Sequence, residues 1–549
     1  MLETGKQIIE RFQVVKQNRI HFESEWQECA DNLFGKRDFI EYHDEPGRRR
    51  TRPILDTTAR QSLIQLAGGL QGLLADPSTP WMSVIPTNDE LREDRTSIEW
   101  FEEVTKRMRN GFAMPRAGFS VNMAEIFFDI GGFGTSAMFS VDQGNYTYFS
   151  ARPLGEIYVE EDQLGIIDLV FRKFRYTARQ AAQAFGDEMG TTNSKAINDA
   201  VIKEPGRKFE FIQLVHHVTD PSAQPRGLGP GSNKPWRSVY VMLDSGDKMS
   251  EGGYYELPIH VARWSREAGE VYGRGPGMTA LSDGKMLNEM KRTLLQLAQK
   301  VADPPLLVPD DGVLTQVVTS PGGMNIVRED LLVRSRGVPI GTLPTGTNFP
   351  ITQEVLNETR QSVRDAFYAQ LMQLFRDPRM TATHVLELSA EAQRLMAPML
   401  SRLKVELLDP MIQRQFYLMQ RRGELPPLPD VLVNEDFEIS YNSPVLRSQR
   451  LPEARATMEV WTAAGEIAQM APQVLDGLDP DASLQVIHEA RGAPISILRS
   501  NEERDELREE RARIQAEQAQ MDQMLQASQA AGNVGVNVPQ LAAGGTAPA

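Results

Sequence analysis

RDPRMTATHVLELSAEAQRL, residues 376–395, sets a basic, proline-marked loop directly before a long amphipathic pattern. Pro378 stops whatever precedes it, and Thr381 or Thr383 can accept hydrogen bonds from free backbone amides at a helix start. Val385, Leu388, Ala392, Leu395, Met399, Leu403 and Leu407 then recur at spacings of three and four. The spacing predicts a helix over about 382–422, roughly 60 Å long if unbroken. Pro398 and Pro410 interrupt that helix, and kinks are expected at both because each removes a backbone donor and crowds the carbonyl four residues back. Upstream, Val355, Val363, Phe367, Leu371 and Leu374 predict a helix from Gln353 to Phe375, roughly 35 Å long. Before it, Leu287, Met290, Leu294, Leu297 and Val301 predict another, ended by ADPP. A glycine-rich, strand-flavoured insert, 306–350, separates the two. The decisive order is therefore helix, insert, helix, basic loop, proline-interrupted helix.

The rest of the chain falls into layers on either side. Residues 2–33 read as one amphipathic helix with Ile8, Phe12, Val15, Phe22, Trp26 and Leu33 close to one stripe. Helical pattern follows at 57–75, 97–114 and 122–131. From Ala137 the period changes to that of strands. MFSVDQGNYTYFSARP and GEIYVEEDQLGIIDLVFRKFRY read as hairpins, and EFIQLVHHV, SVYVML and HVARWS as further strands. GLGPGSNKPW and DSGDKMSEGGYY read as loops by composition, and LPPLPDVLVNEDFEISYNSPV as a linker with one strand. The C-terminal part is helical at 452–470, after Asp479 with Pro480 at the first position, and after Ser500 with Glu503 as a capping box. The last helix has only a thin apolar seam at Leu507, Ile514, Met521 and Leu525, which suits a solvated or bundle-forming helix. Residues 532–549 are Gly, Ala and Pro without period and are expected to be disordered.

Composition narrows the functions available. At 549 residues the chain exceeds one ordinary core, so several domains or an elongated subunit of an assembly are expected. The start MLETGKQIIERF lacks a signal-peptide core, and LIQLAGGLQGLL (63–74) is too short and too polar to span a bilayer. A cytosolic protein without a membrane segment is expected. Cys29 is the only cysteine, so no internal disulfide and no cysteine-based zinc cluster can form. A net charge of −15 does not suit a protein that grips nucleic acid tightly.

Motifs for chemistry are missing. Gly35-Lys36 and Gly284-Lys285 are followed by Arg37 and Met286, so neither makes a phosphate-binding loop. GRGPG at 273–277 reads as a turn entering a helix, and GGFGTSAM lacks the serine elbow of hydrolases. The seven histidines form no helical ligand pair; adjacent His216 and His217 on a strand point to opposite faces, one buried and one exposed. No catalytic, cofactor or metal residues are proposed. The basic run RRRTR, 48–52, reads equally well as a phosphate or acidic-neighbour contact and as a solvated loop.

Five stretches together resemble the head-to-tail connecting, or portal, proteins of short-tailed bacteriophages related to the T7 group. They are LDTTARQSLIQLAGGLQGLLADPSTPWM, NMAEIFFDIGGFGTSAMFSV, GEVYGRGPG, QLAQKVADPPLLVP and MTATHVLELSAEAQRLMAPMLSRLKVELLDPMIQR, in the family's order across about 1–425. The resemblance implies an α+β, mainly helical, elongated subunit that assembles into a ring of about twelve copies at one capsid vertex of the virion. Double-stranded DNA passes through it, without sequence preference, during packaging, retention and ejection. It implies a wing (1–277), a first stem helix (278–303), a clip (304–350), a second stem helix (351–376), a tunnel loop (377–384), a kinked wing helix with a returning strand (385–450), a helical crown (451–531) and a disordered tail (532–549).

Under that reading Arg376, Asp377, Pro378, Arg379, Met380, Thr381 and His384 face the channel. Asp310, Asp311, Arg328, Glu329, Asp330, Arg334 and Arg336 make the clip surface that docks partners. The implied partners are the terminase large subunit, the major capsid and scaffolding proteins, and tail adaptor and internal virion proteins; assembly takes place in the host cytoplasm. The alternative is another virion assembly protein, a tail adaptor or scaffold, and below it a DNA-packaging enzyme, which the missing phosphate loop disfavours.

Overall fold

The computed structural model describes residues 4–34, 54–76, 80–88, 90–92, 94–187, 190–218, 234–309, 318–327, 341–342, 349–374, 395–432, 436–441, 444–468, 471, 473, 477–491 and 501–534. The chain mixes helix and sheet and divides into two compact units: 1–87 with 100–452, and 88–99 with 453–549.

In the larger unit a five-stranded antiparallel sheet runs in simple sequence order: Ile157–Glu161, Ile167–Thr177, Lys208–His217, Trp236–Met242 and Lys248–Tyr254. Strand alternation gives it two apolar faces. Leu169, Phe171, Ile212, Leu214, Val239 and Val241 take Ile8, Phe12 and Val15 of helix Gly5–Asn18. Phe174, Phe209, Phe211 and Met242 take Ala178, Ala181, Ile197 and Ala200 of helices Ala178–Phe185 and Lys195–Lys203. A smaller sheet has Thr135–Asp142 at its centre, paired with Thr147–Arg152 on one side and Ile259–Arg263 on the other. Strand Met82–Pro86 pairs with Phe437–Tyr441. No described helix is long and apolar enough to cross a membrane.

Several expectations are corrected. The N-terminal helix is two helices, Gly5–Asn18 and Ile20–Cys29, followed by a π-helical turn, Ala30–Phe34. Arg19, 1% exposed, stands at the break. Its guanidinium donates to the carbonyls of Leu154, Gly155 and Ile157 and to Glu23, and lies 3.6 Å from the centre of the Tyr158 ring. A cation drawn under a neighbouring turn is invisible to a period count. Residues 248–254, read as loop, form an edge strand that needs a partner on one side only; Arg237 and Glu251 pair across it. His216 is half-buried rather than buried, while His217 is exposed. The helix expected over 353–375 is Phe349–Ala366 and Ala369–Leu374, broken at Phe367 and Tyr368. Of the long helix expected over 382–422, residues 382–394 and its threonine cap lie outside the described residues; 395–421 are helical.

In the smaller unit Asp479 caps helix Pro480–Arg491 by accepting from the amides of Asp481 and Ala482 at 2.8 and 3.2 Å. The last helix, Asn501–Val534, leaves Ile514 and Met521 exposed. Its expected Ser500 cap lies outside the described residues, as does 535–549.

Candidate functional site

The feature that the sequence marks most strongly is the helix pair with its insert. Leu281–Ala302 and Phe349–Ala366 pack side by side, and Ser362 donates to Asp283 at 2.6 Å across them. The first helix leaves the body at a crossing of two glycine runs. Gly134 has φ +78°, and a Cβ on it would lie 2.3 Å from the Gly275 nitrogen. A Cβ on Gly277 would lie 2.2 Å from the Gly132 oxygen. GRGPG and GGFG are thus glycine-rich because two backbones touch there, and Pro276 then opens the short helix Pro276–Thr279.

A polar clamp fixes the base of the pair. Asn288 Oδ1 accepts from the amides of Leu55 and Asp56 at 3.0 and 3.2 Å, and its Nδ2 donates to the Asn32 carbonyl at 2.9 Å. Arg360 pairs with Asp56 at 2.7 Å, and Asp56 also accepts from the Thr58 amide at 3.0 Å, at the start of helix Thr58–Leu74. Burial pushes the Asp56 carboxyl up, but hydrogen bonds from Thr58 and Arg360 more than offset it and leave its pKa below the usual value. The clamp lies immediately after RRRTR, which is itself outside the described residues.

Away from the clamp the first helix loses its cover: Leu281, Gly284 and Leu287 are buried, whereas Leu295 and Val301 are almost half exposed. At the far end a small sheet pairs Leu306–Pro309 in parallel with Met324–Val327 and antiparallel with Gly341–Thr342. Asn325 is buried there and bonds the Val318 amide and carbonyl.

Past the second helix the chain turns sharply at Tyr368, the one non-glycine residue with positive φ (54°) among those described. Trp264 faces the Tyr368 ring at 6.0 Å, and Met372 of the next helical segment fills the notch left by Gly69. The returning helix, described from 395, contains the π-helical turn Lys404–Leu408, in which the Asp409 amide bonds the Lys404 carbonyl five residues back. That turn aims Glu406 at Arg263, which it meets through Nη2 at 2.7 Å and through the backbone amide at 2.9 Å; Glu161 takes the other side of the same guanidinium. Pro410 follows just after that turn and offers no amide to the carbonyls of the turn before it, and Pro398 lies within the preceding helical residues 395–403.

Arg414 on that last helix holds Ser140 and Glu256, and Ser140 contacts His260 Nε2 at 3.1 Å. Burial, with Arg414 nearby, lowers the His260 pKa to about 3, so the imidazole is neutral. Hydroxyl, imidazole and guanidinium are each under 3% exposed, which makes this a bond between helix and sheet rather than a reaction site. Among the described residues no group of three His, Cys, Asp or Glu is placed to hold a metal ion.

The expected tunnel-loop residues Arg376, Asp377, Pro378, Arg379, Met380, Thr381 and His384 lie outside the described residues. So do the expected docking residues Asp310, Asp311, Arg328, Glu329, Asp330, Arg334 and Arg336. What sequence reasoning missed is the support: Asn288, Asp56, Arg263, Glu406 and Tyr368. Only the paired glycine runs carried a local signal, and their meeting is a long-range fact.

The family described as bacteriophage head to tail connecting protein matches residues 5–498. The chain is 28% identical to a portal protein of Salmonella phage epsilon15 over 538 residues, 96% of this chain and 95% of that one. It is 26% identical to a probable portal protein of Bordetella phage BPP-1 over 488 residues, 87% and 85% of the two. A solved chain from the virion of a native gene transfer agent particle covers 78% of this chain and 96% of its own at 12% identity and TM-score 0.35, a likeness too weak to bear on the fold.

Proposed function

The chain belongs to the bacteriophage head to tail connecting, or portal, proteins, and from that premise we propose that about twelve copies close into a ring at one capsid vertex, with the helix pair lining a channel for double-stranded DNA. The observation that carries the reading is the order helix, insert, helix, loop, returning helix, clamped at its base and bare of apolar cover towards the insert. A cyclic ring repeats one head-to-tail interface, so each subunit needs two unlike faces, and uncovered Leu295 and Val301 suit contact with a neighbouring copy. The wing is 1–277, the stem helices 278–303 and 351–376, the clip 304–350, the tunnel loop 377–384, the returning wing segment 385–450 and the crown 451–531; the compact units of the chain divide at 452/453.

The clip residues Asp310, Asp311, Arg328, Glu329, Asp330, Arg334 and Arg336 form the docking surface for the terminase large subunit and tail adaptors. The wing and crown meet major capsid, scaffolding and internal virion proteins. The protein acts as a conduit and catalyses nothing. Its net charge of −15, multiplied round a ring, repels phosphate, while Arg376 and Arg379 steady the duplex through weak contacts that carry no base information. Deleting Asp377 to Met380 is expected to leave subunit assembly intact and to lower the length of DNA retained per capsid, measured on a pulsed-field gel. Capsids with that deletion holding full-length DNA at normal yield would make the loop a mere connector.

A further inference from the structure

Arg152 closes strand Thr147–Arg152, an edge of the smaller sheet, and its Nε is buried with no hydrogen-bond partner. It makes no ion pair within 4 Å among the described residues. Phe139 lies 5.4 Å from its guanidinium, with Tyr148 and Tyr176 also close to it. The carboxylate that acts on it, Glu156, pairs with Arg172 at 3.0 Å, so two guanidiniums share one acid. A half-buried cation without a counter-charge loses hydration that nothing in the fold replaces. Burial, with Arg172 beside it, holds the Arg152 pKa below its usual value, a second sign of a missing anion.

We propose that Arg152 is the receiving half of a contact between copies: it takes a side-chain carboxylate from a second copy of this chain. The inference rests on the ring reading and names a residue of its interface. Three observations favour a protein carboxylate over a nucleic-acid phosphate. The guanidinium lies against the Phe139 ring with its Nε out of solvent, a setting that a single side chain reaches more readily than a stiff duplex backbone. Among the described residues the cation named beside it, Arg172, is already paired with Glu156, whereas phosphate tracks need several unpaired cations. Tyr148, 38% exposed and four residues earlier on the same face of the strand, supplies an aromatic rim beside the arginine, the pairing enriched at protein interfaces. The chain, with 74 acidic against 59 basic residues, has carboxylates to offer.

The test compares the full-length wild type with Arg152→Met, which keeps the bulk and removes the charge, and with Arg152→Gln as a second variant should Met fail to fold. Two quantities are read: the denaturant midpoint of dilute, unassembled protein and the protein concentration at which copies associate, by mass photometry. The unassembled variant is expected to be as stable as the wild type or more so, while association shifts to at least tenfold higher concentration. A variant that assembles like a wild type that itself assembles overturns this contact alone. A wild type that never associates overturns the ring reading and this inference with it. A variant less stable when dilute and unchanged in association makes Arg152 an internal packing residue, which contradicts the proposal. Unchanged association with weakened binding of a duplex oligonucleotide assigns the site to phosphate instead, and also contradicts it.

Discussion

Gly134 holds φ +78° and has no room for a Cβ, because the Gly275 nitrogen and the Gly273 oxygen lie 2.3 and 2.4 Å from where that atom would be. Both neighbours are backbone and cannot step aside. Gly134→Ala is therefore expected to lose about 3 kcal/mol in equilibrium unfolding, from left-handed strain together with overpacking. His260 makes a second prediction at this scale. In the unfolded chain its imidazole takes a proton near pH 6.5, whereas in the fold it resists protonation until about pH 3. Its contribution is whole above pH 6.5 and is lost as the pH falls towards 3, at about 1.4 kcal/mol per pH unit. His260→Gln should flatten the decline of stability between pH 6 and 4 by that slope; parallel wild-type and variant curves would contradict it. Neither residue could be singled out from the sequence, where Gly134 is one of 42 glycines and His260 one of seven histidines. What distinguishes each is a neighbour more than a hundred positions away.

At the scale of elements, periodicity was informative where one face packs along a whole element and blind where the chain changes direction under tertiary load. Val363, Phe367, Leu371 and Leu374 keep helical spacing straight across the break at Tyr368, so the sequence pattern carries no trace of it. The hairpins of the two sheets were legible from their β-branched and aromatic runs. Lys248–Tyr254, with Ser250, Glu251, Gly252 and Gly253 in it, was not, because pairing and not propensity makes it a strand. The break at Tyr368 has a checkable cause in the seating of Met372 against Gly69, where a Cβ would lie 2.2 Å from the sulfur. Gly69→Ala and Met372→Ala should each destabilise, yet combine to less than their sum, with a coupling of about 1 kcal/mol in a double-mutant cycle. Strict additivity would mean that the segment after the break is not docked there.

At the scale of the whole molecule, the order of parts was legible and the working surfaces were not. The loop 376–384 and the charged positions of 310–336 were chosen from the sequence and stand outside the described residues, so the roles proposed for them rest on family membership and on the clamped helix pair, which brackets the second and precedes the first. The physical logic is of a subunit that is incomplete alone: an acidic chain with an arginine short of an anion, apolar side chains bare along a helix, and a glycine crossing and ion clamp that hold that helix in place. The ring closure proposed above would unite these features. The most direct test is the image and mass of the purified full-length protein at micromolar concentration, by negative-stain microscopy with native mass measurement. The account predicts rings with a central hole and a mass of about twelve subunits. Particles that remain single subunits or open pairs, both in solution and when recovered from capsids, would contradict it.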